Sequence, residues 1–113
     1  MKTIIFAAAL TLTTSALLAH SNSNETTPQE GAIVETVEVI ELRFDMPMRI
    51  TVITLTGPEG EVELTRETGL EPVPEFRALL PEEVVVGGYK VDWRGLSQDG
   101  HPMQGTFAFT VGD

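Results

Sequence analysis

The chain contains no cysteine, which excludes a disulfide scaffold, a thiolate zinc site, an iron–sulfur cluster and a Cys-ligated blue-copper centre. Any metal must therefore be held by nitrogen, oxygen or thioether donors. Basic residues are scarce: seven Lys plus Arg stand against seventeen Asp plus Glu, a formal charge of −10 over 113 residues. With no basic stripe to offset it, that balance repels phosphate backbones and argues against nucleic acid as a partner. No nucleophile elbow or oxyanion hole is marked, so no Ser–His–Asp triad is assembled and no residue is assigned a catalytic role. What is present is 42% hydrophobic residues, the composition of one ordinary folded domain.

The long uncharged run lies at the start. Met1 and Lys2 give a short positive beginning, residues 3–18 carry no charge, and the run closes on Leu17, Leu18 and Ala19. This is the pattern of a secretory signal peptide spanning residues 1–19, with small Ala19 at the cleavage position and Leu17 larger than usual two residues before it. A membrane anchor fits less well, because the run is short and the polar residues Ser21, Asn22, Ser23, Asn24 and Glu25 follow at once. Cleavage after Ala19 removes Lys2, makes the exported chain more acidic still, and leaves His20 as its first residue. The remaining segment, residues 20–113, is expected to be a single domain that buries roughly 60–70% of its unfolded surface, enough for one core.

Beyond Glu25 the pattern is that of strands. Thr26 and Thr27 read as a short edge strand entering a turn at Pro28, Gln29, Glu30 and Gly31. Residues 37–44 are rich in β-branched positions and end at Phe44. Residues 50–56 and 61–65 alternate on either side of Gly57, Pro58, Glu59 and Gly60, which predicts a hairpin. Glu71, Pro72, Val73 and Pro74 read as a break, residues 76–80 as another apolar run, and Pro81, Glu82 and Glu83 as a solvent-facing turn. In residues 89–94, Tyr89, Val91 and Trp93 share one face while Lys90, Asp92 and Arg94 share the other. Phe107, Phe109 and Val111 do the same in residues 105–111. About seven short strands with turns every 8–12 residues describe an antiparallel β-sandwich or Greek-key barrel.

The chain has two histidines, one predicted to become the N-terminus and one in Asp99-Gly100-His101-Pro102. An N-terminal His offers its α-amine and a ring nitrogen from one residue, and the amine gives up its proton to a metal readily near neutral pH. Asp99 and His101 are two apart, so an extended backbone would point both side chains the same way, with Gly100 sterically free. Three nitrogens and one carboxylate oxygen make a tetragonal donor set suited to Cu(II). On spacing alone a plain surface turn remains the other reading, since Asp-Gly and His-Pro are common turn dipeptides. Trp93 beside Arg94 reads as core rather than as a stacking pair. Glu59, Glu61, Glu63, Glu67, Glu71, Glu75, Glu82 and Glu83 read as a solvated surface whose field concentrates cations.

Residues 89–111 (YKVDWRGLSQDGHPMQGTFAFTV) closely resemble the C-terminal signature of the CopC family of periplasmic copper-binding proteins. The other end, with His20 after the signal peptide and Thr27-Pro28-Gln29-Glu30-Gly31 before a strand ending in Phe44, resembles the family as well. The resemblance implies an all-β, cupredoxin-like or immunoglobulin-like Greek-key sandwich that binds one Cu(II) per chain through His20 (amine and imidazole), Asp99 and His101. It further implies a periplasmic copper carrier or buffer in copper homeostasis or resistance, handing the ion to a separate CopD-like inner-membrane importer or to another copper protein; the chain itself is expected to be a monomer. Met46 stands where many relatives carry a Glu near the copper, with Asp45 as the neighbouring carboxylate. Met46, Met48 and Met103 are too sparse for a separate Cu(I) site, and Met46 and Met48 read as core filling or surface edge.

Two rivals remain. A metal-free secreted β-sandwich acting as an interaction module would leave His20 without a role. A His-brace copper monooxygenase would use the same N-terminal His, but an Asp99 carboxylate in the fourth equatorial position would close the site that oxygen needs.

Overall fold

The computed structural model describes residues 25–112. The signal peptide expected at residues 1–19, its expected cleavage after Ala19 and the expected ligand His20 lie outside them. Eight strands form: β1 (Glu25–Thr27), β2 (Ile33–Val34), β3 (Val39–Gly57), β4 (Gly60–Val62), β5 (Thr65–Arg66), β6 (Val73–Leu79), β7 (Gly87–Leu96) and β8 (Pro102–Val111).

Strand β3 joins the two layers of the sandwich. Its first part pairs with β1 on one side and β6 on the other. Its second part pairs with β7, and its last residues with β4. The hydrogen-bonded path therefore runs β2-β8-β7-β3-β6-β5, with β1 and β4 also on β3. All pairings are antiparallel except the short β2–β8 contact.

Two irregularities let one strand serve both layers. Between Arg43 (opposite Glu75) and Met48 (opposite Val73), residues 44–47 face Pro74 alone. Proline has no N–H to give to a ladder, so it is tolerated where the ladder is interrupted. The second slip lies at Thr51, since Ile50 faces Gly95 and Val52 faces Arg94. A bulge moves the following residues to the opposite face. Accordingly Ile40, Leu42, Phe44, Met48 and Ile50 are buried, Val52 is exposed, and burial resumes at Leu55. The two strands expected at residues 37–44 and 50–56 are thus one, and Val73 and Pro74, expected as a break, open β6. The predicted hairpin about Pro58 and Glu59 forms, with Gly57 opposite Gly60.

The inner faces meet in one core. Ile40, Leu42, Phe44, Phe76 and Ala78 come from one layer, and Leu55, Tyr89, Val91, Trp93, Phe107, Phe109 and Val111 from the other. The Phe44 ring meets Trp93 edge-on across the layers at 5.4 Å, and Tyr89 stacks on Phe109, its cross-strand partner. Gly105 lies opposite Trp93. A Cβ there would come within 2.7 Å of the indole nitrogen, so the absence of a side chain makes room for the ring.

On the first layer Arg43 bonds Glu25 (3.0 Å), Glu41 (2.7 Å) and Thr27 (3.1 Å). Arg77 pairs with the same Glu41 and with Glu67 at 2.9 Å. These pairs contribute modestly each, but the Arg43 bonds to Glu25 and Thr27 fasten the three-residue β1 to its neighbour.

Candidate metal centre

The ladder between β7 and β8 is continuous from Gly87 opposite Val111 to Leu96 opposite Pro102. It carries Asp99 and His101 on the loop at its end. Ser97 N–H donates to His101 O and Gly100 N–H to Ser97 O, both at 2.9 Å, and Gly100 has φ +88°. This is a three-residue hairpin connection: a turn over Gln98 and Asp99, then a left-handed residue for which Gly is the natural choice. The expectation of an extended Asp-Gly-His segment is therefore replaced by a tight turn, which brings the two side chains together by a different route.

Asp99 Oδ1 lies 3.0 Å from His101 Nδ1, and the two side chains are 69% and 74% exposed. The Ser97 hydroxyl donates to the same Oδ1 and accepts the His101 backbone N–H at 3.1 Å. The Ser97 hydroxyl first, then the His101 ring, hold the Asp99 carboxyl down at about 2, because hydrogen bonds to the ionised form favour it. An anionic carboxylate beside an imidazole, open to solvent and mounted on a rigid stem, is the chemistry of a cation ligand pair. The role of Ser97 is not anticipated by the ligand spacing. The available signal is a Ser two residues before an Asp, the pattern of local side-chain hydrogen bonding in turns.

Among the described residues, no group of three or more His, Asp or Glu side chains could hold a metal ion. The third predicted ligand, His20, lies outside the described residues. The chain that enters β1 does so next to Arg43, the partner of Glu25, while the hairpin loop springs from Leu96, the partner of Arg49. Both therefore flank the same bend of β3, residues 44–48. On that bend Met48 is buried in the core, whereas Met46 is 57% exposed and Asp45 is exposed as well. Met103 is half-buried and packs against the core. Trp93 points inward and Arg94 outward, as a core reading of the tryptophan requires. The eight glutamates expected as a solvated surface are all exposed.

The CopC domain family model matches residues 23–112. Copper resistance protein C of Pseudomonas syringae pv. tomato is 31% identical over 95% of this chain and 91% of its own length. The protein of the same name from Escherichia coli is 29% identical over 83% of this chain and 82% of its own. Among solved structures, PcoC, described as a methionine-rich copper resistance protein from Escherichia coli, is 30% identical. It covers 83% of this chain and 100% of its own, with a TM-score of 0.65. CopC from Methylosinus trichosporium OB3b is 27% identical over 81% of this chain and 93% of its own, with a TM-score of 0.68.

Proposed function

The chain belongs to the CopC domain family, and on that premise we propose that it is an exported copper-binding protein of copper resistance or homeostasis. In this reading residues 1–19 are removed on export to the periplasm, and residues 20–113 fold as one domain. One Cu(II) binds as cargo through the His20 amine and imidazole, Asp99 and His101. The observation that carries the reading is the Asp99–His101 pair: an ionised carboxylate and an imidazole 3.0 Å apart on an exposed loop. The names of the relatives support copper as the ion.

A five-residue segment such as 20–24 spans at most roughly 17 Å when fully extended, and β1, which follows it, begins beside the bend of β3 that the hairpin loop also flanks. Three nitrogens and one carboxylate oxygen favour Cu(II) over Cu(I), so reduction is a release route. The acidic surface raises the local cation concentration without selecting among cations. We read the site as one for carriage rather than catalysis, because Asp99 in the fourth equatorial position leaves oxygen no in-plane place to bind. The protein then acts as a monomeric Cu(II) carrier or buffer that delivers to a separate membrane importer or another copper protein.

The test is a competition titration with Cu(II) on the processed protein, Asp99→Ala, His101→Ala, and a form with one Ala added before His20. Each change is expected to weaken binding by more than the tenfold to hundredfold that outer partners of a metal site carry. Four proteins titrating alike would overturn the assignment.

A further inference from the structure

The side chain of Ser97 reaches both members of the ligand pair. Its hydroxyl donates to Asp99 Oδ1 and accepts the His101 amide N–H, while its own N–H and C=O bond to His101 and Gly100 at the turn's far side. Asp99 Oδ1 accepts from the serine hydroxyl, a bond that does not involve Oδ2. The His101 ring also meets Oδ1, at 3.0 Å, and that contact opens when His101 and Asp99 hold one ion, so the Ser97 bond is the one that persists. From this geometry we propose that Ser97 is a positioning residue for the metal: it holds Asp99 to one-oxygen coordination through Oδ2 and fixes His101 beside it. The proposal rests on the Cu(II) reading of the loop.

Two physical consequences follow from such a clamp. An exposed carboxylate on a free turn loses rotamer freedom when it takes up a metal, and a carboxylate already fastened at one oxygen loses less. The clamp also bears on selectivity. A carboxylate limited to one oxygen occupies one corner of a tetragonal Cu(II) plane, whereas larger hard cations such as Ca²⁺ accept both oxygens of a carboxylate at once. Ser97 thus favours the ion whose geometry asks for one oxygen. Threonine keeps the hydroxyl and alanine removes it, so the pair of substitutions separates the hydrogen bonds from the packing of a small side chain. The loop lies outside the hydrophobic core, so neither change disturbs the sandwich.

The experiment measures Cu(II) affinity by chelator competition, together with the EPR spectrum, on the processed parent, Ser97→Ala and Ser97→Thr. Expected are a roughly tenfold to hundredfold weaker Cu(II) complex for Ser97→Ala, the range for lost outer-shell partners, with altered hyperfine splitting, and recovery of both affinity and spectrum in Ser97→Thr. A parent that binds one Cu(II) tightly, with a Ser97→Ala variant of equal affinity and identical spectrum, would overturn the positioning role and leave the copper site standing. Equal loss in Ser97→Ala and Ser97→Thr would also overturn it, by assigning the effect to turn packing. A parent that binds no copper beyond its acidic surface would overturn the copper reading itself, and the role of Ser97 with it.

Discussion

Along the β7–β8 hairpin the register runs unbroken from one end to the other, whereas β3 slips twice, once on each side of Met48 and Ile50. The hairpin keeps Tyr89, Val91, Trp93, Phe107, Phe109 and Val111 on one buried face, so its far end is a rigid stem for the loop that carries Asp99 and His101. β3 gives up regularity to cross from one layer to the other, and at the crossing it exposes Asp45 and Met46. The candidate metal centre lies where these two kinds of strand meet. Regular pairing holds the loop of Asp99 and His101 on its stem, and irregular pairing makes the bend beside which the chain enters β1.

The largest way to break the contrast is to attack the hairpin stem. Trp93→Ala removes the ring that meets Phe44 across the layers and is expected to lower stability by about 3–5 kcal/mol, measured by urea unfolding. An effect below about 1 kcal/mol would mean that the stem is not the centre of the core. Next, two methionines two residues apart on β3 should separate cleanly. Met48→Ala should cost roughly 2–5 kcal/mol as a buried truncation, while Met46→Ala should stay within about 0.5 kcal/mol as a surface change. Equal effects would contradict the bulge assignment, because the bulge is what puts one side chain inside and the other out.

That same contrast explains what could be read from the residues alone. The hairpin was legible because strict alternation of Tyr89, Val91 and Trp93, and of Phe107, Phe109 and Val111, matches the two-residue period of an unbroken ladder. β3 was not, since Asp45-Met46-Pro47 looks like a strand end and the slip at Thr51 destroys alternation where pairing continues. Pro74 misled for the same reason: its missing N–H signals a break, and the break is in the partner's register rather than in the strand. At the site, the residue types of the pair were legible and their geometry was not. Asp99 and His101 converge through a turn closed by Gly100, and the bonds of Ser97 exist only once that turn has formed.

A smaller effect belongs to Gly100. With φ +88° and open space around a Cβ, Gly100→Ala should cost roughly 1–2 kcal/mol through backbone strain alone. It should also weaken Cu(II) binding by loosening the turn, which paired unfolding and copper titrations would register. The smallest effect is the response to acid. The Asp99 carboxyl sits at about 2 against an ordinary 3.8, so its contribution to folding is complete above the ordinary value and is lost as pH falls through about 2. The carboxyl carbon shift of Asp99 in the metal-free protein should therefore have its midpoint near 2. A midpoint at the ordinary value would show that the Ser97 and His101 bonds do not form in solution.

The central claim is tested most directly by the EPR spectrum of one equivalent of Cu(II) on protein purified from the exported compartment, with the intact mass fixing its first residue. The account predicts a chain beginning at His20 that binds one equivalent and gives a tetragonal, nitrogen-rich signal. A chain beginning at His20 that holds copper no better than its acidic surface would explain would contradict the account and leave a β-sandwich that keeps the family's fold without its metal.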